Sequence, residues 1–294
     1  MALVWKADAG LNARMMLSFV ILGVLYIVFL SILHYLGVGY IPLAIIASAM
    51  ILAQWYFSDK IVLWSSGAKI VSKEEYPRLH EIVERLSTNN GLPKPKVAMV
   101  NSPVPNAFAT GKSPKSSLVA VTTGILDVLD NDELEAVIGH ELSHVRSRDV
   151  LVLTLASVFS TVAWYLVRFG LFGGLQTRNR NTAGTSAIVL LVAITTWVVS
   201  FLIIRAISRY REFSADRGGA IMTGKPDKLA SALVKISGKI KVIPPKDLEN
   251  VQKLNAFFII PALSGSSIAN LFSTHPPVEK RVQKLMEMKS GVNE

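Results

Sequence analysis

The sequence predicts a mainly α-helical, integral-membrane chain whose polar parts fold into helices and a small antiparallel sheet. Three observations carry that reading. Apolar residues make up 51% of the 294 residues and charged residues only 18%. The apolar residues gather in long blocks, four of which suit membrane helices. Lys and Arg, which give a formal charge of +10, flank these blocks instead of forming one stripe. A bilayer with anionic headgroups explains that distribution, so a lipid partner is expected and nucleic acid is not. The chain has no Cys, which excludes disulfides and thiolate metal sites. The first apolar block is too long for a signal-peptide core and lacks a small-residue cleavage site, so it is expected to stay as an anchor.

The four blocks are Met15–Leu36, Tyr40–Tyr56, Val150–Val167 and Ser186–Ile204. A spanning helix needs ~20 apolar residues, which the first and fourth supply and the other two approach. The short Gly37-Val38-Gly39 turn predicts an antiparallel hairpin for the first pair. Trp55, Tyr56, Trp64, Trp164 and Tyr165 lie near block ends, where amphipathic rings favour the headgroup layer. Lys and Arg crowd the polar stretches 58–149 and 205–294, and Arg178 and Arg180 in the intervening loop dissent only mildly. The positive-inside bias places both stretches and both termini in the cytoplasm. The expected organisation is a hairpin over 1–57, a polar part over 58–149, a second hairpin over 150–206 and a second polar part over 207–294.

Within the polar parts, Tyr76, Leu79, Ile82, Val83 and Leu86 recur at helical spacing and predict a helix over Glu74–Ser87. Lys96–Asn101, Asn106–Thr110 and Ser117–Thr123 read as short strands, separated by Pro103, Pro105, Gly111 and Pro114. A further helix opens after Asp130, with Glu133 in capping-box position. Residues 225–260 look helical, interrupted at Pro244-Pro245.

His140-Glu141-Leu142-Ser143-His144 is H-E-x-x-H on the helix that follows Asp130. Residues four apart lie about 40° apart around a helix and ~6 Å along it, so both imidazoles can reach one zinc ion, one per chain. Glu141 sits beside them, placed to take a proton from water that zinc has made acidic and to pass it to a leaving amine. The pattern points to a zinc metallopeptidase in a zincin-like α+β domain. An intramembrane protease is disfavoured: Asp130, Asp132, Glu133, Glu135, Arg146, Arg148 and Asp149 crowd the motif, at high cost inside a bilayer. A zinc-binding membrane scaffold without activity is the alternative, although structural zinc normally takes four protein ligands.

A catalytic zinc needs a third protein ligand. Asp149 lies nine residues after His140, about 180° round a continuous helix, and so is expected to face away and pair locally. Glu212, in Arg211-Glu212-Phe213-Ser214-Ala215-Asp216, is the preferred ligand, with Asp216 four residues on accepting a hydrogen bond from a ligand imidazole. If the third and fourth spans continue as helices beyond the bilayer, His144 and Glu212 emerge at similar heights. Asn106, Ala107, Phe108 and Ala109 could bind an extended substrate by strand addition, and His275 and Arg281 are candidate oxyanion donors. His275 is a weaker rival to Glu212 as third ligand.

These residues resemble the HtpX family of membrane zinc peptidases, relatives of the C-a-a-X prenyl endopeptidases. The resemblance rests on His140–His144, on Arg211–Asp216, on Asn106-Ala107-Phe108-Ala109-Thr110-Gly111, and on Ser273-Thr274-His275-Pro276-Pro277 followed by Arg281. It covers nearly the whole chain, including the order of spans and motifs. It implies endoproteolysis of damaged or misfolded membrane proteins or unfolded polypeptides at the cytoplasmic face of a prokaryotic plasma membrane, as quality control. Oligomeric state is left open.

Overall fold

The computed structural model describes residues 9–36, 40–171, 180–242 and 275–290. The turn at 37–39, Arg178, the Pro244-Pro245 interruption, Ser273 and Thr274 lie outside the described residues. In chain order the first elements are α1 (Ala9–Tyr35), α2 (Tyr40–Tyr56), α3 (Ser58–Ser66), β1 (Lys69–Ile70), α4 (Pro77–Asn89), β2 (Lys96–Val100), β3 (Ala107–Thr110) and β4 (Leu118–Thr122). There follow α5 (Thr123–Val128), α6 (Asn131–Ser147), α7 (Asp149–Leu171), α8 (Arg180–Thr223), α9 (Pro226–Lys241) and α10 (Val278–Ser290).

The chain divides into two compact units. One comprises the described residues of Ala9–Trp55 and Val152–Ile207, the other those of Tyr56–Leu151 and of the part from Ser208 onward. In the first unit Phe29 and Leu33 of α1 pack with Val162 and Ala163 of α7 and Val189 and Ala193 of α8. The outer faces of its helices are apolar and exposed, with Leu17 60%, Ile27 67% and Leu191 65% accessible. Among the described residues two helices, Ala9–Tyr35 and the stretch Ser186–Thr223 of α8, are long and apolar enough to cross a membrane. At 17 residues α2 is shorter than this length, and the apolar part of α7 is likewise short.

The second unit is built on a four-stranded sheet of order β1-β2-β4-β3. Strand alternation sends Val97, Met99, Val119, Val121 and Ala107 into a core shared with Leu79 and Val83 of α4, Val137, Ile138 and Leu142 of α6, Leu229, Leu233 and Ile236 of α9, and Leu285 of α10. The alternate residues Ala98, Val100, Phe108, Leu118 and Ala120 form a smaller core on the other face, where Leu63 of α3 packs. The three strands expected from the sequence are all present, but the sheet is mixed and not antiparallel. The β3–β4 pair is antiparallel, whereas β2 and β4 run parallel, with Lys96 opposite Leu118 and Val100 opposite Thr122. Residues 101–117 act as the crossover that a parallel pair requires, and they carry β3 with them, so β4 inserts between β2 and β3. Pro77 at the first helical turn starts α4 three residues later than the periodicity suggested.

The helix with the metal motif begins as expected. Asp130 Oδ1 accepts from the Glu133 backbone N–H at 2.8 Å, and Glu133 Oε2 accepts from the Asp130 N–H at 2.9 Å. The same Glu133 also accepts from Ser231 Oγ at 2.7 Å and Lys235 Nζ at 2.8 Å, tying α6 to α9. Lys225 adds contacts to Asp132 and Glu135. The acidic start of α6 thus suits the helix dipole and meets a row of lysines.

The end of α6 departs from expectation. Arg148 takes a left-handed conformation, φ 53°, that closes the helix, and α7 starts at Asp149. The helix carrying His144 is therefore not continuous with the apolar helix that follows. By contrast α8 runs unbroken for 44 residues through Glu212 and Asp216.

Candidate metal centre and active site

Two glycines set the distance between the ligand-bearing helices. A Cβ on Gly219 of α8 would lie 2.6 Å from His140 N, and one on Gly139 of α6 would lie 2.6 Å from Thr223 Cγ2. Bare backbone on both sides lets α6 and α8 cross in direct contact. Seven residues before Gly219, two helical turns, α8 presents Glu212 to the two histidines.

His140 and His144 turn their Nε2 atoms toward each other at 3.1 Å. Glu212 closes the triangle, with Oε2 3.7 Å from His140 Nε2 and Oε1 3.4 Å from His144 Nε2. One ligand atom from each of the three residues lies within 4.8 Å of the others. A tetrahedral ion with bonds of ~2.0–2.1 Å has ligand–ligand edges of about 3.3–3.4 Å, so the spacing suits zinc. The chemistry of the donor set suits it too. Each ring's Nδ1 faces a carboxylate, Asp216 Oδ1 at 3.0 Å for His140 and Asp149 Oδ2 at 2.7 Å for His144. A proton held at Nδ1 of His144 leaves its Nε2 lone pair, His140 Nε2 and the Glu212 carboxylate converging on one point, an arrangement that calls for a cation. Glu212 Oε2 is buried and closes no hydrogen bond of good geometry.

Behind the ligands lie charged supports. Arg281 is 0% exposed and forks onto Asp216, Nε to Oδ2 at 2.8 Å and Nη2 to Oδ1 at 2.6 Å, with Nη1 3.4 Å from Glu212. His275 is buried with Nδ1 2.9 Å from Glu212 Oε2. Burial alone would raise the Glu212 carboxyl, but His275 and His144 beside it hold it well below the usual range. Burial would likewise raise Asp216, and Arg281 overrides it and keeps the carboxyl low. Burial of Arg281 favours proton loss, yet the Asp216 carboxylate holds its proton more tightly than usual. His144 is held above its ordinary value because Glu212 outweighs burial.

The expected residues thus come together. His140, His144 and Glu212 form one cluster, Asp216 supports His140, and Glu141 is buried on α6 between the two histidines. His275 lies beside Glu212 and does not join the ligand cluster. Arg281, expected as an oxyanion donor, instead directs its guanidinium at two carboxylates. Asp149 corrects the helical-face argument outright: the break at Arg148 swings it back onto His144. Arg211 was not singled out from the sequence, yet it is buried and bonds to both Asp149 Oδ1 and the Ser147 carbonyl, the latter at 3.0 Å. Burial lowers its pKa to about 10. Its position next to Glu212 was the one available signal.

Asn106 is buried and leads into β3, an edge strand whose strand neighbour is β4. The Thr122 N–H donates to the Asn106 carbonyl at 2.9 Å. Antiparallel alternation then points the main chain of Phe108 and Thr110 at β4 and that of Ala107 and Ala109 away from it. Where β3 ends, a cleft opens between Ala109, Thr110 and Pro114 on one side and His144, Val145 and Arg148 on the other.

The sequence profile of peptidase family M48 matches residues 73–289. The chain belongs to peptidase family M48. It is 53% identical over 290 residues to protease HtpX homolog 2 of Methanosarcina acetivorans, covering 98% of this chain and 99% of that protein. A protease HtpX homolog of Moorella thermoacetica is 52% identical over 293 residues, covering 98% of this chain and 97% of the relative. Among solved structures, Ste24p of S. mikatae superposes with a TM-score of 0.57 at 17% identity, over 92% of this chain and 64% of that one. At that identity the likeness concerns the fold.

Proposed function

We propose that this M48 peptidase is a membrane-embedded, zinc-dependent endopeptidase of the H-E-x-x-H plus Glu type. The observation that carries the reading is the convergence of His140 Nε2, His144 Nε2 and the Glu212 carboxylate, each held from behind by charged partners. Three gathered ligand groups suit a catalytic zinc, which keeps a position open, better than a structural one. Bound there, zinc supplies a Lewis acid that makes water a competent nucleophile at neutral pH. The Glu141 carboxylate takes the proton from the attacking water and delivers it to the leaving nitrogen of the cleaved peptide. His275 is the proposed donor to the developing oxyanion, while Arg281 acts through Asp216 and Glu212 as a positioning residue. The substrate lies as an added strand along Ala107 and Ala109, with Asn106 and Phe108 fixing the strand they belong to.

For the membrane setting, the proposal is four spans over 1–57 and 150–206, with the polar stretches 58–149 and 207–294 and both termini in the cytoplasm of a prokaryote. The exposed apolar faces of α1 and α8 support lipid contact, as does the Lys and Arg distribution. Damaged or misfolded membrane proteins and unfolded polypeptides are the proposed substrates. The test is cleavage of casein by the detergent-solubilised chain beside Glu141→Gln. Wild type should cleave and hold one zinc, and the variant should hold zinc without cleaving. Cleavage by the variant at the wild-type rate would remove Glu141 from its role.

A further inference from the structure

Each histidine of the candidate centre is backed by a carboxylate that is itself held by a buried arginine. For His140 the relay is Arg281–Asp216–His140, and all its contacts approach from α8 and α10. For His144 a second relay uses other residues: Arg211, also on α8, Asp149 at the start of α7, and the ring at the end of α6. Both intermediate groups are nearly inaccessible, with Asp149 7% and Arg211 8% exposed. A buried carboxylate without a partner is strongly unfavourable, and Arg211 supplies that partner to Asp149 beside the ring. The Arg211 bond to Ser147 O caps a carbonyl at the end of α6, which fixes the break after which Asp149 turns back.

We infer that Arg211 and Asp149 are positioning residues that set the tautomer and orientation of His144, doing for that ring what Arg281 and Asp216 do for His140. The inference rests on the metal reading proposed above. With Asp149 accepting from Nδ1–H, the lone pair of His144 is confined to Nε2, the atom that faces His140 and Glu212. The two relays share no residue, so each ligand should weaken separately.

The experiment uses the full-length chain in detergent, as wild type, Asp149→Ala, Asp149→Asn, Arg211→Met, Arg211→Lys and Asp216→Asn. Zinc affinity is read by competition with a chromophoric chelator, and the proton position on His144 by ¹⁵N shifts of labelled histidines in metal-free protein. Asp149→Ala and Arg211→Met should each weaken zinc about 10–100-fold, the usual cost of losing such a support. Asp149→Asn, which keeps an acceptor, should fall between Ala and wild type, and Arg211→Lys should recover part of the Arg211→Met loss. A helix-capping role alone would lower the melting temperature and leave the ring proton where it is. Asp149→Ala binding zinc within twofold of wild type would overturn the inference. If the variants do not fold, wild type decides: a His144 ring protonated at Nε2 in the metal-free protein overturns it, and an Nδ1 proton supports it. Wild type that holds no zinc would sink the proposed function, and the ring readout would still judge the relay.

Discussion

Gly219→Ala adds one methyl group where α6 and α8 cross. The new Cβ would stand 2.6 Å from His140 N and 2.8 Å from His140 Cα, while nonbonded heavy atoms settle at about 3.5–4.0 Å. Both obstacles are backbone of a packed helix, so no rotamer change relieves them. The helices must move apart locally by about 0.8–1 Å. Overpacking of this kind costs about 1–3 kcal/mol, offset by the ~0.5–1 kcal/mol that Ala gains over Gly in a helix. Net destabilisation is therefore modest, at most about 2.5 kcal/mol. The effect on metal should be larger in proportion, because ligand distances tolerate only about 0.2 Å and His140 is the residue displaced. Zinc affinity is expected to drop at least about tenfold, some 1.4 kcal/mol. Gly238→Ala on α9, where a Cβ meets nothing within 4 Å, is the control and should be neutral or stabilising by up to ~1 kcal/mol. Chelator competition and thermal unfolding in detergent measure both quantities. Gly219→Ala with wild-type zinc affinity would refute the idea that the glycine contact sets the ligand geometry.

Other substitutions test separate parts of the account. Glu212→Ala should abolish stable zinc binding, since it removes a ligand and leaves His275 and Arg281 facing an emptied carboxylate position; undiminished zinc content by elemental analysis would move the third ligand elsewhere. Ala109→Pro deletes a backbone N–H turned away from β4, so zinc should be retained while KM rises up to about tenfold, the worth of one hydrogen bond; an unchanged KM would argue against strand addition. Glu133 is held below its usual pKa because hydrogen bonds from Lys235 and Ser231 outweigh the burial that would raise it. Its folded pKa lies under its unfolded one, so its contribution is complete above about pH 4.5 and is lost as pH falls through the folded value. Glu133→Gln should lower stability at pH 7 and flatten the acid limb of a melting-temperature profile, whereas a parallel shift at all pH values would contradict this linkage.

Much of this was legible because local rules and tertiary structure agree. The capping box at Asp130 and Glu133, the i, i+4 histidines and the Glu212–Asp216 spacing all express helical geometry, which needs no knowledge of the partner element. The strands at Lys96, Ala107 and Leu118 were legible from their alternation and their Pro and Gly borders. Their pairing was not, because insertion of β4 between β2 and β3 is a tertiary choice that leaves no trace in a five-residue pattern. Asp149 was misread for one reason: the helical extrapolation assumed that Arg148 stays right-handed, and a non-glycine residue at φ 53° cannot be anticipated from its type. Arg281 reads as an oxyanion donor from the sequence, and its burial against Asp216 on a distant helix leaves no local sign, since Arg is seldom fully buried.

Zinc-edge X-ray absorption on the purified full-length chain tests the central claim most directly. The account predicts one zinc per chain in a four-coordinate shell of two imidazole nitrogens and oxygen at ~2.0–2.1 Å, with the carboxylate contribution lost in Glu212→Ala. A shell with four protein ligands, or one unaltered by that substitution, would contradict it.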